Sequence, residues 1–171
     1  QYREFIVFNT WDLRIGTKLQ FEDPDFEFDY ICAADEPPVL YLLDKYPDWE
    51  SRIITRALWR DKHRMTGKAP NLICPKTFHR GDVTGTLGVK FAIEQGAKHI
   101  TTVAMDSLAD SWDKNTVWEW SNNIDSQIYK PDKLETKQQG LLKNWGNQLR
   151  ELERIHPEIE WNHKHIGNIK G

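Results

Sequence analysis

The sequence predicts an α/β protein whose mostly parallel sheet is covered by helices on both faces. Short apolar segments rich in β-branched residues alternate along the chain with segments of helical periodicity. Strands that alternate with helices pair in parallel, because each helix returns the chain to the same end of the sheet. The 171 residues are 39% hydrophobic and 29% charged, which fits one core, so we expect residues 1–171 to form a single domain.

Short apolar segments with β-forming residues are predicted to be strands. The fourth of them is bounded by prolines at both ends, so we expect it to be brief. The predicted strands are residues 4–9, 28–35, 52–57, 70–75, 98–106 and 158–166.

Three segments are predicted to be helices. The first begins at Glu36, carries Pro37 and Pro38 in its first turn, and ends before Pro47. Prolines suit the first turn because the N–H that they lack has no intrahelical partner there.

The second predicted helix follows the turn at residues 78–86 and is closed by Gly96. The third begins at Asp132 and stops at Pro157, and its apolar residues recur at spacings of three, four and seven along one face. Residues 107–131 lie between the fifth predicted strand and the third predicted helix. They are polar and Trp-rich, and we expect an irregular excursion there.

In parallel sheets, ligands bind outside the carboxyl ends of the strands, close to helix N-termini. Residues that directly follow predicted strands are therefore candidate site residues. They are Asn9 and Thr10, Ala34 and Asp35, the turn at residues 78–86, and Asp106.

The turn at residues 78–86 has the features of a phosphate site. First-turn N–H groups of a helix lack intrahelical partners, and the macrodipole adds about half a positive charge there. Arg80 supplies a cation, Thr84 and Thr86 supply hydroxyls, and the small Gly85 lets a ligand come close.

A structural interpretation of the same turn stays open. Asp82 would be the N-cap of the helix, and Gly88 would be a close contact between helix and strand. The turn matches neither the GxxxxGK[ST] loop nor the GxGxxG fingerprint. Spacing alone does not decide between a ligand site and a capped helix.

Beyond the turn, "DVTGTLGVKFAIEQGAKHITTVAMDS" resembles the central segment of the bacterial sialyltransferase family that modifies lipooligosaccharides. It is equally similar to the glycosyltransferase-like domain of bacterial motility accessory factors, a group with phage-encoded relatives. The shared pattern is a Thr/Ser-Gly turn, a small-residue helix and an apolar strand that ends in Gly-x-Asp. Here these are Thr84-Gly85, "FAIEQGAKHI" and "TTVAMD", and the resemblance is confined to about residues 78–107.

The resemblance implies a Rossmann-like fold that binds a cytidine nucleotide sugar without a metal and transfers its glycosyl group. Three departures weaken the implied sialyl transfer. The family's Gly-rich loop after the first strand is here "FNTWDL", which keeps Asn9 but has no glycine, and Asp35 stands where the family usually has Asn. The family's histidine base is missing from residues 107–133, which contain no histidine.

We therefore expect a glycosyltransferase-like protein that binds a nucleotide sugar or another nucleotide, with no cofactor. The predicted nucleotide-binding residues are Asn9, Thr10, Arg80, Thr84, Gly85 and Thr86. The candidate catalytic residues are the carboxylates Asp106 and Asp35, with His79 as a reserve base.

Two alternatives belong to other functional classes. The first is a Rossmann-like module that binds a nucleotide or a protein partner without catalysis, as the missing histidine and the missing glycine loop suggest. The second is a phage protein directed at nucleic acid through residues 52–80, which contain eight bases and one acid. By contrast, residues 22–50 contain ten acids and one base.

Asp106, Asp110 and Asp113 could hold Mg²⁺, but they lack EF-hand spacing, so no metal site is predicted. No apolar run approaches the roughly 20 residues that span a bilayer. The first residues lack the features of a signal peptide. We expect no membrane partner and a cytoplasmic location, in the host cytoplasm if the chain is phage-encoded.

Overall fold

The structure is a computed structural model that describes residues 11–17, 27–103 and 146–164. These residues form two compact units. The first comprises residues 11–17 and 27–96, and the second comprises 97–103 and 146–164. The number of domains stays a prediction, and each unit is described by itself.

A three-stranded parallel sheet lies at the centre of the first unit. Its strands are β1 (Ile15–Thr17), β2 (Tyr30–Cys32) and β3 (Ile53–Ile54), and they pair in that order. Ile54 also forms a single parallel bridge with Ile73, which lies within the predicted fourth strand. All strand pairs in the described segments are therefore parallel, as the alternating pattern predicts.

Two helical segments connect β2 to β3, and two further helices follow β3. The elements are α1 (Glu36–Lys45), a 3₁₀ helix (Pro47–Arg52), α2 (Ala57–Met65) and α3 (Thr84–Glu94). Prolines occupy the first turn of α1, and Pro47 begins the 3₁₀ helix just beyond its end, as predicted. Gly96 follows α3 with a φ of 86°, a left-handed conformation that glycine adopts without the steric penalty of a Cβ.

The core of the first unit lies between the sheet and α3. It contains Cys32, Ala34 and Ile54 from the strand side and Leu87 and Phe91 from the helix. Side chains alternate between the two faces of a strand. The residues that alternate with this set are also buried, and they are Ile31, Ala33 and Ile53. Burial on both faces is what a parallel sheet between helical layers requires.

Gly88 lets α3 pack directly on the sheet. A Cβ added at this position would lie 2.9 Å from Cys32 Sγ and 3.3 Å from Ile15 Cγ2. The predicted close contact between helix and strand at Gly88 is confirmed.

The second unit contains a two-stranded parallel sheet of β4 (His99–Val103) and β5 (Glu160–Lys164). The described part of the third predicted helix, α4, covers residues 146–155 and buries Leu149 and Leu152. It ends two residues before Pro157, in agreement with the sequence.

A polar contact chain holds β4, β5 and α4 together. Thr102 Oγ1 on β4 lies 2.6 Å from Nδ1 of His163 on β5. The other ring nitrogen of His163 contacts the Glu153 carboxylate on α4. Since Thr102 is only 4% exposed, these bonds satisfy polar groups inside the unit.

The predicted α/β class is confirmed: the described segments combine helices with small parallel sheets. The predicted strands 28–35 and 52–57 contain β2 and β3 but are longer than either. Strand β1 and helix α2 were not predicted. The predicted strand at residues 4–9 and the excursion at 107–131 lie outside the described residues. In the described segments, no helix is long and apolar enough to cross a membrane.

Candidate functional site

Helices of the first unit begin at the carboxyl ends of its strands. Asp35 is the N-cap of α1 and follows β2, while Arg56 is the N-cap of α2 and follows β3. The N-cap of α3 is Val83. None of these three N-caps makes a capping hydrogen bond through its side chain. First-turn N–H groups without a capping side chain can bind an anion, with the helix dipole in support.

A hydrogen bond joins the start of α3 to the end of β2. The backbone N–H of Ala34 donates to Thr84 Oγ1 over 3.3 Å. A hydroxyl that accepts one bond can still donate its own hydrogen. Thr84 therefore anchors the helix to the strand end and can also offer a donor to a ligand oxygen.

Arg56 connects the ends of β2 and β3 to the turn before α3. Its Nε and Nη2 donate to the Asp82 backbone carbonyl over 3.3 and 3.0 Å. Its Nη1 lies 4.0 Å from Asp35 Oδ1, and the two side chains are 29% and 49% exposed. A guanidinium that touches three segments brings a permanent positive charge to the carboxyl edge of the sheet.

The strand ends themselves are held by buried hydrogen bonds. Thr55 Oγ1 donates to the Ala33 carbonyl over 2.7 Å, and Trp59 Nε1 donates to the Ala34 carbonyl over 3.0 Å. These bonds occupy the backbone carbonyls of the two residues that follow β2, and they hold this strand end against β3 and α2.

Asp82 organises the turn rather than capping the helix. Its Oδ2 accepts the His79 backbone N–H over 2.7 Å and lies 2.7 Å from Lys90 Nζ. The side chains of Lys90 and Asp82 are 12% and 5% exposed. The expectation that Asp82 is the N-cap is wrong, because the N-cap is Val83 and the carboxylate bonds to N–H groups inside the turn and to α3.

The reserve base His79 is exposed, and one of its ring nitrogens is already engaged. Its Nδ1 accepts the Gly81 backbone N–H over 3.3 Å. In a neutral ring with an accepting Nδ1, the proton resides on Nε2. This arrangement leaves His79 a weaker candidate for a general base than a carboxylate at the strand ends.

The remaining predicted site residues differ in their exposure to solvent. Arg80 is exposed and Gly85 is half-buried, so both can meet a ligand. Thr86 is 1% exposed, which favours a packing role. Asn9, Thr10 and Asp106 lie outside the described residues, so their predicted place at this edge stays a prediction.

Arg56 is the site residue that the sequence reasoning missed. The predicted third strand extended to residue 57, which put Arg56 inside a strand, whereas β3 ends at Ile54. Residues that directly follow a strand are expected to line the site. This rule would have identified Arg56 if the end of β3 had been known.

No group of three or more metal-ligating side chains occurs in the described segments. The aspartates at 106, 110 and 113 lie outside them. Burial raises the pKa of the Cys32 thiol, which keeps this cysteine protonated and inert in the core.

A separate cleft lies at the opposite edge of the sheet. It has a volume of about 610 Å³ and is lined mainly by charged and aromatic side chains. Arg14, Asp29 and Arg52, each directly before a strand, are among its lining residues. The sequence reasoning placed the main pocket at the carboxyl ends and did not anticipate a cleft at the amino ends.

Comparisons of this chain with protein-family models, with curated proteins and with solved structures find no significant match.

Proposed function

We propose that the carboxyl edge of the β1–β2–β3 sheet binds the phosphates of a nucleotide, and that the chain is a Rossmann-like, glycosyltransferase-like protein with a nucleotide-sugar donor. The observation that supports this most is the convergence on one edge of the Thr84–Ala34 hydrogen bond and the Arg56 guanidinium. Together they bring the starts of α1, α2 and α3 to the strand ends.

Electrostatics favour an anion at this edge. The starts of α2 and α3 each contribute about half a positive charge, and a guanidinium binds phosphate through paired N–H donors. The start of α1 contributes less, because Pro37 and Pro38 have no N–H and Glu36 is acidic. Asp35 is the nearby counter-charge of Arg56, at a distance of 4.0 Å. A bound phosphate would compete with this carboxylate for Arg56, since both anions form charge-assisted hydrogen bonds with a guanidinium.

The residues take the following roles in the proposal. Thr84 and Gly85 contact the phosphates at the start of α3, and the exposed Arg80 supplies a second cation. Asn9 and Thr10, the nucleoside contacts predicted from the sequence, lie outside the described residues. Thr86 is not part of the contact set, because it is buried.

Asp106 is the proposed catalytic carboxylate, and Asp35 is the alternative. A carboxylate is preferred to His79 because the His79 Nδ1 already accepts the Gly81 N–H. The metal-independent mechanism follows the family resemblance and not any structural observation. General-base removal costs typically 10²–10⁴-fold in rate.

A nucleotide-binding module without catalysis is the alternative that the same geometry supports. The phosphate contacts would be identical, and only turnover separates the two. The nucleic-acid alternative is less well supported, because cations of α2 are engaged locally. Arg60 pairs with Asp61 at 2.9 Å and Lys62 with Glu36 at 2.7 Å, which leaves less charge for a phosphate backbone.

The test of catalysis is nucleotide release from a panel of nucleotide sugars, with and without EDTA. We expect turnover that survives EDTA and falls by about 10²–10⁴-fold in Asp106→Asn. Loss of activity with EDTA would indicate a metal at the aspartate cluster. Tight nucleotide binding without turnover of any donor would establish the module instead of the enzyme.

A further inference from the structure

The cleft at the amino edge of the sheet is built by residues that directly precede the three strands. Arg14 precedes β1, Asp29 precedes β2 and Arg52 precedes β3. Asp29 Oδ2 accepts the Arg14 backbone N–H over 2.7 Å, which ties the first two strand starts together. The volume of about 610 Å³ is within the range of small-molecule sites.

Arg14 lines this cleft and carries an unsatisfied donor buried beside it. Its Nε is buried and has no hydrogen-bond partner within the described part of the chain. A buried donor without an acceptor costs free energy, and native structures rarely retain one without a reason. Because Nε is closed to solvent, an oxygen atom of a ligand in the cleft would satisfy it once the Arg14 side chain has turned toward the cleft.

The charges of the lining favour a neutral ligand. The acidic residues Asp12, Glu27 and Asp29 line the cleft together with the basic residues Arg14 and Arg52. An anion would meet the carboxylates and a cation would meet the guanidiniums. A hydroxyl group donates one hydrogen bond and accepts others, so it suits both kinds of neighbour.

Tryptophans add flat apolar surface to this polar lining. Trp11 and Trp49 both line the cleft. The Arg52 guanidinium lies over the Trp49 ring, with its Cζ 5.1 Å from the ring centroid, which fixes the orientation of both side chains. Aromatic rings beside paired donors and acceptors suit a ligand that has apolar C–H faces and a hydroxylated rim.

We propose that the amino-edge cleft is a binding site for a neutral saccharide, distinct from the nucleotide site at the carboxyl edge. The Arg52 guanidinium donates to sugar oxygens, as does Arg14 once its side chain has turned toward the cleft, and the carboxylates accept from sugar hydroxyls. The site lies at the other end of the strands from Thr84, so it does not require the proposed nucleotide function.

The experiment is a glycan array of neutral oligosaccharides with the full chain, followed by calorimetric titration with the strongest neutral ligand. We expect saturable binding by the wild type. The affinity of Arg52→Ala should be lower by at least about tenfold, since an arginine at the centre of an interface commonly contributes that much. Arg14→Met should abolish binding. Arg64→Ala is the matched control, because Arg64 is an exposed arginine outside the cleft, and it should bind like the wild type.

Parallel titrations use inorganic phosphate and acetate as anionic probes. Absence of binding to any neutral glycan by the folded wild type overturns the proposal. So does unchanged affinity in Arg52→Ala, or binding of the anions alone. Because Arg52 is exposed, its variant keeps the test meaningful even if Arg14→Met fails to fold. Nucleotide titration of the same variants separates this proposal from the nucleotide site, which should be unaffected.

Discussion

Thr84, the first residue of α3, accepts the backbone N–H of Ala34, the second residue after β2, over 3.3 Å. The bond holds the start of α3 against the end of β2, and both belong to the proposed nucleotide site. Ala34 is 2% exposed, so water cannot readily replace the hydroxyl.

Thr84→Val should therefore destabilise the fold, because it leaves the Ala34 N–H without an acceptor. We expect a loss of about 1 kcal/mol in the free energy of unfolding, at the low end for a buried unsatisfied donor because the bond is long. Thr84→Ser keeps the acceptor and should lose less. Urea unfolding measures both, and equal stability of the Val and Ser variants would show that the bond contributes nothing.

Gly88→Ala should also be destabilising, although alanine is the better helix former by about 1 kcal/mol. The new Cβ would lie 2.9 Å from Cys32 Sγ, and overpacking a core costs typically 1–3 kcal/mol. The control is Gly81→Ala, where the nearest atom is 3.7 Å away and little change is expected.

The cause can be isolated in a Cys32→Ala background. Removing Sγ makes room for the added methyl group, so Gly88→Ala should be less costly there than in the wild type. Increased stability of the single Gly88→Ala variant would contradict the packing described for α3.

Asp82→Asn should weaken the fold strongly. It leaves the Lys90 ammonium, only 12% exposed, with the Thr77 carbonyl but without its carboxylate. Breaking a fully buried ion pair from one side costs about 3–5 kcal/mol, and the remaining carbonyl reduces the cost here. The comparison variant is Asp61→Asn, which breaks the exposed pair with Arg60 and should leave the unfolding midpoint unchanged. Similar midpoints for the two variants would show that the Asp82–Lys90 pair is not structurally important.

Alkaline pH should destabilise the protein through Cys32. Burial raises the pKa of this thiol in the folded state above its ordinary value of 9.0. The contribution to stability is complete below about pH 9 and is lost as the pH rises and the unfolded thiol ionises, with a slope of up to about 1.4 kcal/mol per pH unit.

The measurement is urea unfolding between pH 8 and 10 for the wild type and Cys32→Ala. The difference in free energy of unfolding between them should shrink as the pH rises. A constant difference would mean that the Cys32 thiol ionises equally well in both states.

The second predicted helix and its close contact with the sheet could be read from the sequence. The small residues, the apolar stripe and the closing Gly96 are local signals, and the structure has α3 at residues 84–94. The residues at which the strands end could not be predicted from such local signals. The predicted third strand continues past Ile54 to residue 57, but pairing with β2 stops at Ile54, and pairing is decided by distant residues.

Strand β1 and helix α2 were missed for related reasons. The middle residue of β1 is Gly16, which is a poor strand former, and its place is set by contact with Ile31. Helix α2 exposes Leu58 at 63% and Met65 at 88%, and its only buried residue is His63. Its apolar residues therefore do not mark the buried face, and periodicity gave no signal.

The place of the turn before α3 could be predicted from the sequence, but the contacts around it could not. The turn before α3 does lie beside the end of β2, as the rule for parallel sheets implies. Arg56 was not predicted, because its position depends on where β3 ends. Asp82 was considered as an N-cap, because its actual partner Lys90 lies eight residues further along the chain and cannot be identified from the sequence.

Calorimetric titration of nucleotides and nucleotide sugars into the wild type and Gly85→Val tests the central claim most directly. The added branches would occupy the space that a phosphate needs at the start of α3 and would stiffen the first turn. The account predicts saturable binding by the wild type, its loss in a folded Gly85→Val, and weakened binding in Arg80→Ala, whose exposed side chain can be removed without loss of packing. No binding of any nucleotide by the folded wild type, or unchanged affinity in both folded variants, would contradict it.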